Sequence, residues 1–234
     1  NDGVVPDAIV TVRSTNGGAT MSAPRVVATL GSIDQSTTPT SFRTNAYPTV
    51  AIDAASRIYL AWSSRGYAEL RPDAVIGDAR IVVSTSTNGT TWSIAKPVDN
   101  QDTAGHQVMP ALTFAEGKLN LVYYDLREDR SQLFGQFVDE GPILNGQHNI
   151  RSRHTIDVRG AQADPGDSPA FAPFKITQYR EGALPGGTGK QQLEFSPPNL
   201  PLFQAGTSPF IGDYLDTAPA VPFIRNGSTW SFNT

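Results

Sequence analysis

The apolar residues of this chain arrive in short bursts. "AIVTVRS" (8–14), "PRVVATL" (24–30), "PTVAID" (48–53), "RIYLAW" (57–62), "ARIVVSTS" (79–86), "PALTF" (110–114), "KLNLVYY" (118–124) and "QLFGQFV" (132–138) are each alternating or continuously apolar. Gly, Pro, Asn, Asp and Ser separate them. Runs of this length and composition predict β-strands joined by turns. No long window repeats apolar residues at i, i+3, i+4 and i+7, so no amphipathic helix is predicted. Residues 182–207 are rich in Gly and Pro and predict a long loop.

The bursts repeat. "PTVAIDAASRIYLAWSSR" (48–65) lies over "PALTFAEGKLNLVYYDLR" (110–127) without a gap. Val50 falls on Leu112, Ile52 on Phe114, Leu60 on Val122, Trp62 on Tyr124 and Arg65 on Arg127. The shared template is a strand, a short turn, a second strand ending in a large aromatic, then an arginine. "SPFIGDYLDTAPAVPF" (208–223) begins the same way and departs after a few residues.

The turns repeat as well. "STNGGATM" (14–21) lies over "TSTNGTTW" (85–92), with Gly18 on Gly89, Thr20 on Thr91 and Met21 on Trp92. "RNGSTW" (225–230) puts Gly227, Thr229 and Trp230 in the same slots. Trp92 follows Met21 by 71 residues and Trp230 follows Trp92 by 138, so one copy is skipped. It would fall near residue 161, where "RGAQADPGDSP" has turn residues and lacks the motif. A small hydroxyl or Asn side chain bonds the backbone of a tight turn, and glycine supplies a positive φ. Ser14, Asn16, Gly18, Thr20 and Met21, then Asn88, Gly89, Thr91 and Trp92, then Gly227, Thr229 and Trp230 are therefore assigned to structural corners. Three corners in register predict a repeated unit rather than isolated hairpins.

Composition narrows the function classes. A length of 234 residues suits one large all-β domain or two small ones. The net charge is −4 with no long run of either sign, so the basic stripe that nucleic acid requires is missing. With no cysteine, disulfides, thiolate catalysis and Cys-type zinc sites are excluded. No apolar stretch approaches the ~18 residues of a membrane-spanning helix. The chain opens on Asn1 with no methionine and no signal-like apolar region, so a processed or excised piece of a longer protein is expected.

The corner motif resembles S-x-D-x-G-x-T-W, the Asp-box of bacterial neuraminidase repeats found in sialidase-like β-propellers. "STNGGATM" matches with Asn16 for the Asp and Met21 for the Trp, "TSTNGTTW" matches with Thr87 in the Asp position, and "RNGSTW" keeps the second half. "RIYLAWSSR", "LVYYDLR" and "FIGDY" are similar to the blade strands of secreted bacterial proteins of this superfamily. The resemblance implies an all-β propeller of four-stranded antiparallel blades. In each blade the box joins the third and fourth strands, on the rim away from the usual binding face. The chain then divides into a half blade (7–31), a blade (42–100), an expanded blade (106–181) and a partial blade (208–234), about three blades in all. Propellers close with roughly 4–8 blades. Closure is thus expected from the rest of a longer chain or from self-association, in a secreted or surface-exposed bacterial protein.

A sialidase-type enzyme needs arginines for the substrate carboxylate, a Tyr/Glu nucleophile pair and an acidic proton donor. Arginine suits the first task because its planar fork grips a carboxylate with two parallel hydrogen bonds. Arg43 in "SFRTNAYP" stands where the family carries Arg-Ile-Pro, with Thr44 and Asn45 in place of Ile-Pro. Arg65 and Arg127 are repeat-equivalent, which fits ligand binding and a structural role alike. Tyr179 and Glu181 in "ITQYREG" share a face if that segment is a strand. Asp213 in "FIGDY" is the candidate acid. Asp125, Glu128 and Asp129 in "YYDLREDR" place three carboxylates close together. They are either a calcium site, calcium being the one candidate cofactor, or local ion pairs with Arg127 and Arg130. His106, His148 and His154 lack metal-ligand spacing, no G-x-S-x-G occurs, and "GGTGK" (186–190) lacks phosphate-loop spacing. The sequence therefore points first to a non-catalytic module that binds a glycan or protein partner. The alternatives are an exo-sialidase-type glycoside hydrolase with catalytic residues partly outside this chain, and a structural repeat within a large adhesin or stalk.

Overall fold

A computed structural model describes residues 7–31, 45–67, 78–99, 105–128, 143–144, 147–148, 156–178, 181–183, 190–192, 215–217 and 223–232. Among them every regular element is a β-strand and every pairing is antiparallel. Strands β1 (Ala8–Thr11) and β2 (Arg25–Thr29) form a two-stranded sheet. Strands β3 (Thr49–Ile52), β4 (Ile58–Ser64), β5 (Arg80–Ser86) and β6 (Lys96–Pro97) form a four-stranded sheet in chain order. Strands β7 (Gln107–Ala115) and β8 (Lys118–Asp125) come next, followed by the small β9 (Ile143–Leu144) and β10 (Gln147–His148) pair. Strands β11 (Asp157–Ala163) and β12 (Ala172–Lys175) then join β7–β8 in a second four-stranded meander. Two further hairpins follow, β13 (Glu181–Ala183) with β14 (Lys190–Gln192), and β15 (Phe223–Asn226) with β16 (Thr229–Phe232). The β13–β14 hairpin corrects the expectation of an unbroken loop over 182–207. The Gly-rich 184–189 segment is flanked by short polar stretches that pair with each other. The predicted strand 132–138 lies outside the described residues.

The sheets stack face to face. Ala51, Tyr59, Ala61, Ile81 and Val83 of the first four-stranded sheet meet Leu112, Leu119, Leu121, Tyr123, Ala161 and Ala163 of the second. On the other face of the first sheet, Leu60, Trp62 and Val82 pack with Ile9, Val27 and Ala28 of β1–β2. Strand β5 is thus buried at every position. Ile81 and Val83 face one neighbour and Val82 the other, which is why these three consecutive positions are all apolar. Each large side chain fully buried in this way contributes about 1.5–3 kcal/mol.

The 48–65 and 110–127 repeats coincide in their second strands. Tyr59, Ala61 and Ser63 are buried, as are Leu121, Tyr123 and Asp125, the residues that the gapless overlay places on them. The first strands are shifted by one residue. Ala51 pairs with Tyr59, whereas Leu112 pairs with Leu121, so Ala51 and Leu112 are equivalent. Val50, which the overlay placed on Leu112, is 58% exposed against 5% for Leu112. The cause is the turn. Ile52 pairs with Ile58 across residues 53–57, but Ala115 pairs with Lys118 across Glu116 and Gly117 alone, with φ of 51° and 73°. The second is a two-residue turn of the I′ kind. A one-residue slip in a period-two strand moves a side chain to the opposite face.

Candidate functional site

The first two corner turns lie at one end of the stacked sheets. In the first, the Ser14 hydroxyl accepts from Gly18 N–H at 2.8 Å and donates to Asn16 Oδ1 at 2.9 Å. Asn16 Oδ1 accepts from Thr20 N–H at 2.9 Å, and Asn16 Nδ2 donates to Thr20 Oγ1 at 2.9 Å. In the second, the Ser86 hydroxyl accepts from Gly89 N–H at 2.8 Å and donates to Asn88 Oδ1 at 3.2 Å. Asn88 Oδ1 accepts from Thr90 N–H and Thr91 N–H, both at 2.8 Å. Asn88 therefore does what Asn16 does, and Ser86 what Ser14 does. The gapless overlay had put Thr87 there. The first corner carries one residue more, Gly17 and Gly18 against Gly89, each with positive φ. Trp92 packs on the core beside Leu60 and Trp62, while its counterpart Met21 is 62% exposed. The third corner is built differently. Asn226 pairs with Thr229, leaving a two-residue turn of Gly227, at φ 62°, and Ser228. Trp230 lies in β16.

The second corner joins β5 to β6, the third and fourth strands of their sheet. Its counterpart in the next sheet is the 164–171 segment between β11 and β12, where the motif is lacking. That segment clasps the preceding sheet instead. Asp167 Oδ1 pairs with Arg57 at 2.8 Å, its carbonyl accepts from Thr85 Oγ1 at 3.0 Å, and Gly166 N–H donates to the Tyr59 hydroxyl at 2.8 Å. The Tyr59 hydroxyl in turn donates a hydrogen bond to Asp53 Oδ2 at 2.8 Å. Burial works against the charge on Asp53. Hydrogen bonds from Arg57 N–H, the Tyr59 hydroxyl and Ala55 N–H outweigh it and hold the carboxyl below its ordinary value.

The opposite end holds a cluster of charged groups packed between the two four-stranded sheets. Arg127 Nε lies 2.9 Å from both oxygens of Asp125, and its Nη2 donates to Asp125 Oδ2 at 2.7 Å and to Asp99. The Tyr123 hydroxyl donates to Asp99 at 3.3 Å. Gln107 spans the sheets, donating to Asp125 at 3.3 Å and accepting from Ile81 N–H at 3.1 Å. Further out, Glu128 accepts from Arg159 at 3.1 Å and from Lys175 at 2.6 Å, and Lys175 also lies 3.4 Å from Asp157. Arg80 caps the carbonyls of Ala79 and Gly105 at 3.1 and 2.9 Å. Next to it, His106 Nδ1 accepts from Ala79 N–H at 3.1 Å and Nε2 faces Asp78 at 3.3 Å. Burial disfavours the charge on Arg127, but hydrogen bonds to Asp125 and Asp99 prevail and the guanidinium holds its proton beyond the ordinary arginine value. Burial, with the Asp99 and Asp125 charges beside it, pushes the Tyr123 phenol up.

Of the residues singled out in the sequence, Arg127, Asp125 and Glu128 come together here. Asp125 and Glu128 turn to Arg127, Arg159 and Lys175, and among the described residues no group of three His, Asp or Glu side chains converges to hold a metal ion. Arg65 sits elsewhere. Its backbone N–H donates to Gly31 O at 3.0 Å, bridging β1–β2 to the four-stranded sheet. Glu181 opens β13 opposite Gln192. Arg43, Asp129, Tyr179 and Asp213 lie outside the described residues. Sequence reasoning missed Asp99, Gln107, Asp157 and Arg159. The one signal for the last two was "DVR" (157–159), charged residues at alternate positions ahead of an uncharged run. Compared with known families and with curated proteins, the chain matches no family model and no curated sequence.

Proposed function

We propose that the chain is a segment of a β-propeller and acts as a non-catalytic binding module, presenting the loops opposite its corners to a glycan or protein partner. The strand order supports the architecture: meanders of four antiparallel strands, a corner between third and fourth strands, and neighbouring sheets packed face to face. One observation carries the functional reading. Arg127, one of the arginines that the sequence offers for gripping a substrate carboxylate, already donates to Asp125 and Asp99. An arginine so neutralised cannot take a ligand carboxylate without exposing two buried charges.

Two assays test the reading. A glycan array and a pull-down with the purified chain are expected to identify a glycan or protein that binds at millimolar concentration or better. A panel of fluorogenic glycosides, sialosides included, is expected to stay intact. Release of the fluorophore from a sialoside would replace this reading with a hydrolase. Silence in both binding assays would leave a structural repeat.

A further inference from the structure

The first two corners share the four residues Ser-Thr-Asn-Gly, at 14–17 and 86–89, and differ in one hydrogen bond. Asn16 is followed by Gly17 and Asn88 by Gly89, with φ of 67° and 69°. Both asparagines are exposed. The Ser86 hydroxyl accepts from Gly89 N–H, the amide directly after Asn88, at 2.8 Å. The Ser14 hydroxyl instead accepts from Gly18 N–H, one residue further on, at 2.8 Å. The extra glycine of the first corner has moved this bond along the chain. Among the described residues the Gly17 N–H then has no acceptor, and a Cβ placed on Gly17 would meet no atom within 4 Å. Gly89 is half-buried, and a Cβ there would lie 3.4 Å from Ile58 Cδ1. The side chains differ in the same sense. Asn88 Oδ1 accepts from the backbone of Thr90 and Thr91, whereas Asn16 Oδ1 accepts from the backbone of Thr20 alone.

An asparagine followed by glycine is open to attack from its own backbone. The next amide nitrogen loses its proton to solvent base and bonds to the side-chain Cγ. The Cγ–Nδ2 bond breaks and ammonia leaves. The succinimide ring so formed takes up one water and opens to aspartate or isoaspartate. Glycine puts no Cβ in the path of the attack. An N–H already held by a hydroxyl must first give up that bond and turn toward Cγ. We infer that Asn16 is a site of spontaneous deamidation in the folded chain and that Asn88, in the same local sequence, is protected by Ser86. An aspartate at position 16 keeps an acceptor for Thr20 N–H and adds one negative charge. An isoaspartate lengthens the backbone by one atom and pulls that acceptor away. The inference rests on the corners alone and is independent of what the protein binds.

Tandem mass spectrometry tests this on the full chain, incubated folded at mildly alkaline pH and then digested with trypsin. Asn16, in the peptide Ser14–Arg25, is expected to gain the mass of an amide-to-acid conversion about fivefold faster than Asn88, the factor that one net hydrogen bond represents. In denaturing urea the two rates should become equal, because the local sequence is shared. Deleting Gly17 returns the Ser14 bond to the amide after Asn16 and is expected to slow conversion there to the rate at Asn88. Equal rates in the folded chain, no conversion at Asn16, a preference that survives in urea, or a deletion variant that converts as fast as wild type would each overturn the inference.

Discussion

The guanidinium of Arg127 lies against the carboxylate of Asp125, two residues earlier, with Nε 2.9 Å from each oxygen. Asp125 is fully buried, and Nη2 of the same guanidinium donates to Asp99, which follows β6 of the neighbouring sheet. The pair holds together the ends of two sheets whose apolar faces already meet. Removing the cation leaves two buried carboxylates with one neutralising partner fewer. Arg127→Ala is therefore expected to destabilise the chain by roughly 3–5 kcal/mol, the range for breaking one side of a buried pair. Arg127→Lys should fall between wild type and Ala, because an ammonium keeps the charge and loses the planar fork. Urea denaturation reads both; an Ala variant as stable as wild type would show that the cluster holds nothing.

The corner assignment yields a paired test. Asn88 Oδ1 accepts two backbone N–H groups, whereas Thr87 is exposed. Asn88→Ala is expected to cost about 1 kcal/mol, as loss of a comparable side-chain cap does. Thr87→Ala should stay within about 0.5 kcal/mol of wild type. Equal losses in thermal melts would return Thr87 to the role that Asn88 now holds.

Asp53 makes stability depend on acid. Its carboxyl is held below the ordinary 3.8 in the folded chain, so on acidification the unfolded chain takes up its proton first. The unfolded state then binds more protons, and stability falls as pH drops through the folded value. Asp53→Asn should remove this part of the acid sensitivity. Urea midpoints measured at neutral pH and at about pH 3 test it, and a drop of the same size in the variant would assign the sensitivity to other carboxylates.

Gly105 has a φ of 115°, and a Cβ there would strike the backbone of Leu126 and Arg127. Gly105→Ala is expected to lose on the order of 1–3 kcal/mol from overpacking, and more from the left-handed backbone. A melting temperature unchanged from wild type would mean that the β6–β7 connection does not approach β8 so closely.

Strands β5 and β8 were legible from short apolar runs, Ile81–Val83 and Leu121–Tyr124, bounded by polar residues. The slip between Val50 and Ala51 was not, since it depends on a turn whose length the overlay held fixed. The same holds for Asn88, hidden by one extra glycine in the other corner. The charged cluster was half visible. Asp125 and Arg127 stand two apart and drew notice as a ligand or metal site, but their partner Asp99 comes from a different sheet, and no local pattern announces a pairing 28 residues apart. Asp157 and Arg159 were passed over because a strand with charged residues at its start does not read as buried.

On the proposed reading, Arg127 serves the fold through Asp125 and Asp99 and has no grip left for a substrate carboxylate. Saturation-transfer NMR with free sialic acid tests it most directly, on wild type and on Arg127→Lys checked for native folding. No transfer that depends on Arg127 is expected, and the two spectra should be alike. Strong transfer in wild type that vanishes in the folded Lys variant would contradict it.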